Sequence, residues 1–83
     1  MKLAVRYFAS IREALGPGEA IEVADGMTVG LVRDALIARG GVHAEALARR
    51  RTLRSALNQV LCDESALVSG GAELAFFPPV TGG

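Results

Sequence analysis

The chain has no tryptophan, one tyrosine, one histidine and one cysteine among its 83 residues. A single cysteine, Cys62, rules out an internal disulfide framework and fits a reducing compartment, so the expected location is the cytoplasm. A single histidine, His43, leaves no set of ligands for a metal, and none is expected. There is also no excess of either charge: nine Lys and Arg face nine Asp and Glu, for a formal net charge of zero. A general nucleic-acid binder would carry a basic excess, so that class is set aside. No apolar run approaches the roughly 18 residues of a membrane span. The start, MKLAVRYFASIREALG, lacks a continuous apolar stretch followed by a small-residue cleavage site and reads as mature sequence. Neither a repeat nor a linker divides the chain.

What is present is apolar and patterned. Hydrophobic residues make up 51% of the chain, enough for one small domain. Residues 2–8 alternate as a strand does, with Leu3, Val5 and Tyr7 on one face and Ala4, Arg6 and Phe8 on the other. Ser10-Ile11-Arg12-Glu13 has the form of a capping box, which predicts a helix with Ser10 as N-cap. Gly16-Pro17-Gly18 stops that helix. Residues 19–24 predict a second strand, and Asp25-Gly26 a turn. Thr28 reads as the N-cap of the main helix, over 28–39, with Val29, Val32, Ala35 and Leu36 at helical spacing and Gly40-Gly41 as its stop. A further helical turn or two is expected within 44–50. Residues 56–61 predict a third strand and 72–77 the last.

One long helix and four strands in so short a chain predict an α+β fold, with the helix laid across one face of a mixed sheet and the first and last strands adjacent in its middle. This is a ubiquitin-like β-grasp. Residues 1–77 would form the domain and 78–83 a flexible tail.

The tail, Pro78-Pro79-Val80-Thr81-Gly82-Gly83, has its own chemistry. The prolines fix two φ angles and withhold two backbone donors, so the last strand should end near Phe77. The glycines have no Cβ, so another protein's backbone can close around them. Such an arm suits delivery of a terminal acyl group into a narrow pocket. Ser69-Gly70-Gly71 has the same glycine pair but leads into a strand, and reads as a turn.

FFPPVTGG resembles the carboxyl-terminal signature of the small subunit of molybdopterin synthase. RYFASIREALG, SALNQVLC with its Asn58-Gln59 pair, and SGGAELAFF resemble other segments of that family, although an acidic residue often stands where this chain has Gly71. The resemblance implies a sulfur carrier that is not catalytic alone. An adenylating enzyme would activate the Gly83 carboxylate with ATP, and a sulfurtransferase system would supply the sulfur of a thiocarboxylate. The tail would then enter the large subunit of a heterotetrameric synthase and pass its sulfur to cyclic pyranopterin monophosphate. The chain itself would bind no cofactor. Gly83 would be the reacting residue, Pro78 to Gly82 the inserted arm, and Phe8, Arg12, Leu61 and Phe77 the contacts to partners. Carriers that serve thiazole, cysteine or transfer RNA, protein modifiers joined through Gly83, and an interaction domain with an inert tail are the competing readings.

Other residues invite bland explanations. Cys62 reads as a structural thiol, His43 as a surface or helix-start residue, and Arg49-Arg50-Arg51 with Arg54 as a solvated loop, the sharper alternative being contact with an acidic patch.

Overall fold

The computed structural model describes residues 1–79. The order of elements is β1 (Lys2–Tyr7), α1 (Ala9–Leu15), β2 (Gly18–Glu22), α2 (Val29–Ile37), α3 (Gly41–Ala46), β3 (Arg54–Leu57), β4 (Val60–Cys62) and β5 (Glu73–Phe77). The strands form one sheet in the order β2-β1-β5-β3-β4. β1 and β5 are parallel, with Val5 opposite Leu74 and Tyr7 opposite Phe76. The other three pairings are antiparallel.

Alternation in β1 follows the pattern in the sequence: Leu3, Val5 and Tyr7 are buried while Lys2, Ala4 and Arg6 are exposed. Leu74 and Phe76 of β5 continue the buried face, and Val29, Val32 and Leu36 of α2 pack onto it. Ile11 of α1 and Leu47, just after α3, are buried in the same core. Each large side chain so buried contributes about 1.5–3 kcal/mol. Thr28 caps α2 as its sequence suggests, its Oγ1 accepting from the Leu31 amide at 3.2 Å. Gly18 is required where β2 joins the sheet, because a Cβ there would lie 2.3 Å from the Val5 carbonyl oxygen.

Three expectations are corrected. Residues 56–61 are not one strand. The chain reverses at Asn58 and Gln59, with φ of 48° and 69°, so that Ala56 lies opposite Leu61 in a tight hairpin. Two consecutive positive φ values define a turn whose twist suits adjoining strands. The Asn58 side chain fixes the turn to β5, its Oδ1 accepting from the Glu73 amide at 3.0 Å, while the Asn58 amide donates to the Glu73 carbonyl at 2.8 Å. Ser10 is not an N-cap. α1 begins earlier, after an extended Phe8 whose carbonyl accepts from the amides of Ile11 and Arg12, with Ala9 at a φ of 54°. The backbone of Phe8 already supplies the first acceptor of the helix, which leaves the Ser10 hydroxyl outside the cap. Finally, Ala35 is exposed and Arg33 takes a buried place on α2 instead. Arg33 Nε donates to the Leu47 carbonyl at 2.8 Å, Nη2 to the carbonyls of Ala48 and Arg51, and Nη1 to Glu64 at 2.8 Å.

A mixed sheet with a central parallel pair and the main helix across one face is the ubiquitin-like β-grasp. Two short helices, α1 and α3, flank the main one.

Candidate functional site

The helices cover one face of the sheet and leave the other open. Strand register lays a row across that open face: Gly18, Arg6, Ala75, Ala56 and Leu61 stand side by side on β2, β1, β5, β3 and β4. The two alanines form a low floor, each 8% exposed, between the taller Arg6 and Leu61. Leu61 is 61% exposed. The next row, toward the end of β5, sets Phe77 opposite Arg54. Phe8 follows β1 on the same side, donating its amide to the Phe76 carbonyl at 3.2 Å. Its side chain is 39% exposed, and the Arg6 guanidinium lies 5.8 Å from the centre of its ring. Arg6 also reaches Glu73 at 3.4 Å. A cation held between a carboxylate and an aromatic face fixes the ring at modest energetic gain.

The structure therefore brings Phe8, Leu61 and Phe77 to one face, at the end of the sheet from which Pro78 and Pro79 depart. Phe77 is half-buried, so it offers part of its ring. Arg12 is exposed one turn into α1, its amide bonded to the Phe8 carbonyl. Val80, Thr81, Gly82 and Gly83 lie outside the described residues. Of the residues on this face, sequence reasoning missed Ala56. Alternation in β1 and β5 carried the signal for Arg6 and Ala75, but Ala56 could be placed only once the hairpin was known.

The remaining candidates divide. Arg49, Arg50 and Arg51 are tied inside the chain. Arg49 bonds Asp34, Glu64 and the Gly30 carbonyl, and Arg50 and Arg51 both reach Glu45. Partial burial opposes ionisation of Glu64, but Arg49 and Arg33 outweigh it and hold the carboxyl below its ordinary range. Arg54 is separate from this cluster and exposed on β3. Cys62 is half-buried opposite Ser55, whose hydroxyl donates to the Cys62 carbonyl at 3.3 Å. His43 sits in α3 with its Nε2 2.8 Å from Glu19. Among the described residues, no group of three or more His, Cys, Asp and Glu is placed to hold a metal. No helix among them is long and apolar enough to cross a membrane.

Such a face offers exposed apolar side chains and an aromatic ring held by Arg6, and the fold that carries it is that of small ubiquitin-like proteins. Within that class the chain belongs to the ThiS family, whose profile matches residues 5–83. It is 43% identical over 82 residues to the molybdopterin synthase sulfur carrier subunit of Haemophilus influenzae, spanning 98% of this chain and 99% of that one. It is similar in structure to SAMP1 from Haloferax volcanii, with a TM-score of 0.78 at 28% identity and all of both chains covered. A complex of subunits 1 and 2 of the molybdopterin-converting factor from Helicobacter pylori contains a chain matched over its full length, with a TM-score of 0.69 at 26% identity.

Proposed function

We propose that this chain is the sulfur-carrying small subunit of a molybdopterin synthase, acting in the cytoplasm through its carboxyl-terminal Gly83. The observation that carries the reading is that one central strand, β5, both presents Phe77 on the open apolar face and leads directly into the proline-stiffened tail. A partner that grips this face receives the tail in a fixed direction. The relative in Haemophilus influenzae bears the corresponding name, and the Helicobacter pylori complex is an assembly of two subunits.

The chemistry follows from what a carboxylate lacks. It is a poor electrophile until its oxygen attacks the α-phosphorus of ATP and releases pyrophosphate. The resulting acyl-adenylate has a good leaving group; a sulfurtransferase persulfide displaces AMP to give an acyl disulfide, and a thiol reductant cleaves its S–S bond to leave the thiocarboxylate. The thiocarboxylate is ionised and nucleophilic near neutral pH, as a thiolate is, without a cysteine side chain. ATP is held by the adenylating enzyme, and the carrier itself needs no cofactor. Inside the large subunit the sulfur passes to cyclic pyranopterin monophosphate. Two sulfurs are needed for each dithiolene, so two charged carriers act in succession.

Adding one residue after Gly83 tests the reading. The expected result is loss of ATP-dependent thiocarboxylate formation, read as the mass change when sulfur replaces oxygen, with an unaltered melting curve. Transfer of sulfur by the untrimmed, lengthened chain would refute the proposal. Gel-stable conjugates through Gly83 in place of a thiocarboxylate would instead indicate a protein modifier.

A further inference from the structure

Arginine pairing on this surface is uneven in an informative way. Arg6, Arg33, Arg39, Arg49, Arg50 and Arg51 each reach a carboxylate within the chain. Among the described residues Lys2, Arg12 and Arg54 make no such pair. Lys2 lies at the far end of β1, whereas Arg12 and Arg54 flank the root of the tail. Arg12 stands one turn beyond Phe8, and Arg54 lies directly opposite Phe77.

Arg54 has a second distinction. It lines a groove of about 570 Å³ together with Leu53, Leu61 and Cys62, with Asp63 and Glu64 at its other side. Those two carboxylates are already engaged. Asp63 accepts from the amide and hydroxyl of Ser65, and Glu64 pairs with Arg33 and Arg49. The groove thus has an apolar wall at Leu61, on the open face, and one cation, Arg54, that makes no ion pair within the described chain.

We propose that this groove receives an acidic side chain of the synthase large subunit, paired with Arg54, and that the contact sets which large subunit accepts this carrier. The inference rests on the carrier reading above. A carboxylate entering beside Leu61 meets a guanidinium that forfeits no internal partner. A lysine or arginine entering there is repelled by Arg54, and Asp63, held by Ser65 and still charged, offsets only part of that repulsion, Glu64 being paired with Arg33 and Arg49. The pairing sits at the rim of an apolar contact, where charge complementarity governs encounter rate and partner choice more than total affinity.

The test measures affinity of the wild-type carrier, Arg54→Lys, Arg54→Gln and Arg54→Glu for the cognate large subunit across a salt series, with melting curves as a control for folding. Arg54→Glu is expected to weaken binding by on the order of tenfold at low salt and to flatten its salt dependence, with Arg54→Gln intermediate and Arg54→Lys close to wild type. Should charge reversal disturb the β3 edge, Arg54→Gln reports the same trend. Equal affinity and equal salt slope for all four proteins would overturn the inference and leave the carrier reading standing, as would a loss confined to the adenylating enzyme. If the wild-type protein itself fails to bind the large subunit, the carrier reading fails and this inference falls with it.

Discussion

The Tyr7 hydroxyl donates to Glu19 Oε2 at 2.8 Å, joining the inner end of β1 to the edge strand β2. The same carboxylate is 2.8 Å from His43 Nε2, and its other oxygen accepts from Arg39 at 2.6 Å. One acid on an edge strand thereby gathers a buried phenol, a residue of α3 and the residue two beyond the end of α2. Burial pushes the Tyr7 phenol up, with the Glu19 hydrogen bond and charge adding to it. Tyr7 immediately precedes Phe8, so this network also steadies the strand end that presents the Phe8 ring.

Tyr7→Phe removes the buried hydroxyl and leaves Glu19 its other two partners. The expected loss is about 1 kcal/mol, the usual net value of such a bond. Chemical denaturation measures it; no change at all would mean that the bond does not contribute.

Acid should weaken the protein through Glu19. Partial burial works against its charge, but hydrogen bonds from His43, Tyr7 and Arg39 prevail and lower its pKa to about 2. A carboxyl lowered in the folded state contributes stability that is fully present above its ordinary value near 4.5 and is lost as pH falls toward 2. In Glu19→Gln this limb should flatten. Urea midpoints of the two proteins should differ most near neutrality, draw together below the ordinary value near 4.5 and converge only as pH falls to about 2.

Arg33 is 4% exposed and satisfies three backbone carbonyls as well as Glu64. Arg33→Ala strands those groups and should cost about 3–5 kcal/mol, far more than a surface pair. Arg50→Ala, on the exposed pair with Glu45, should change the melting temperature little.

The hairpin turn holds Gln59 at a φ of 69°, which suits glycine better. Gln59→Gly should raise stability by about 0.5–1 kcal/mol, since Asn-Gly is the preferred pair for this turn. A lower unfolding midpoint would show that the Gln59 side chain contributes more than its backbone strain removes.

Phe8→Ala and Phe77→Ala should each weaken binding to both the large subunit and the adenylating enzyme, by about 2 kcal/mol or more for an anchor residue. Unchanged affinity for both partners, with the fold intact, would remove these side chains from the docking face.

Much of this was legible in the sequence because it rests on short-range pattern. Alternation in residues 2–8 specifies a buried face, and Thr28 followed by Val29, Val32 and Leu36 specifies a capped helix. The hairpin was hidden because Ala56, Leu57, Val60 and Leu61 are apolar on both sides of the turn, and Asn-Gln lacks the glycine that usually announces a reversal. Arg33 was hidden for a different reason. Its partners are carbonyls contributed by residues 47, 48 and 51 after the chain has turned back, so no local spacing marks the position. The arginine cluster misled in the same way, since Asp34 and Glu64 come from distant segments. The Phe8 and Phe77 pair was visible because two strand patterns, once set parallel, determine which residues stand beside each other.

The parallel pairing of β1 with β5 also has a kinetic meaning. Arg6 and Glu73, whose side chains meet diagonally across it, are separated by 67 positions, and closing a flexible loop of that length costs about 4 kcal/mol in chain entropy. β5 is flanked by β1 and β3, so the sheet has no continuous centre until this distant segment arrives. Folding should therefore be slow for so short a chain, with its barrier set by the docking of β5. Because β5 ends at Phe77 and runs into Pro78, the step that completes the domain is also the step that fixes the root of the tail. An unfolded or half-folded chain would carry the same glycines without the face beside them, and on the proposed reading would be a poor competitor for a partner that grips both.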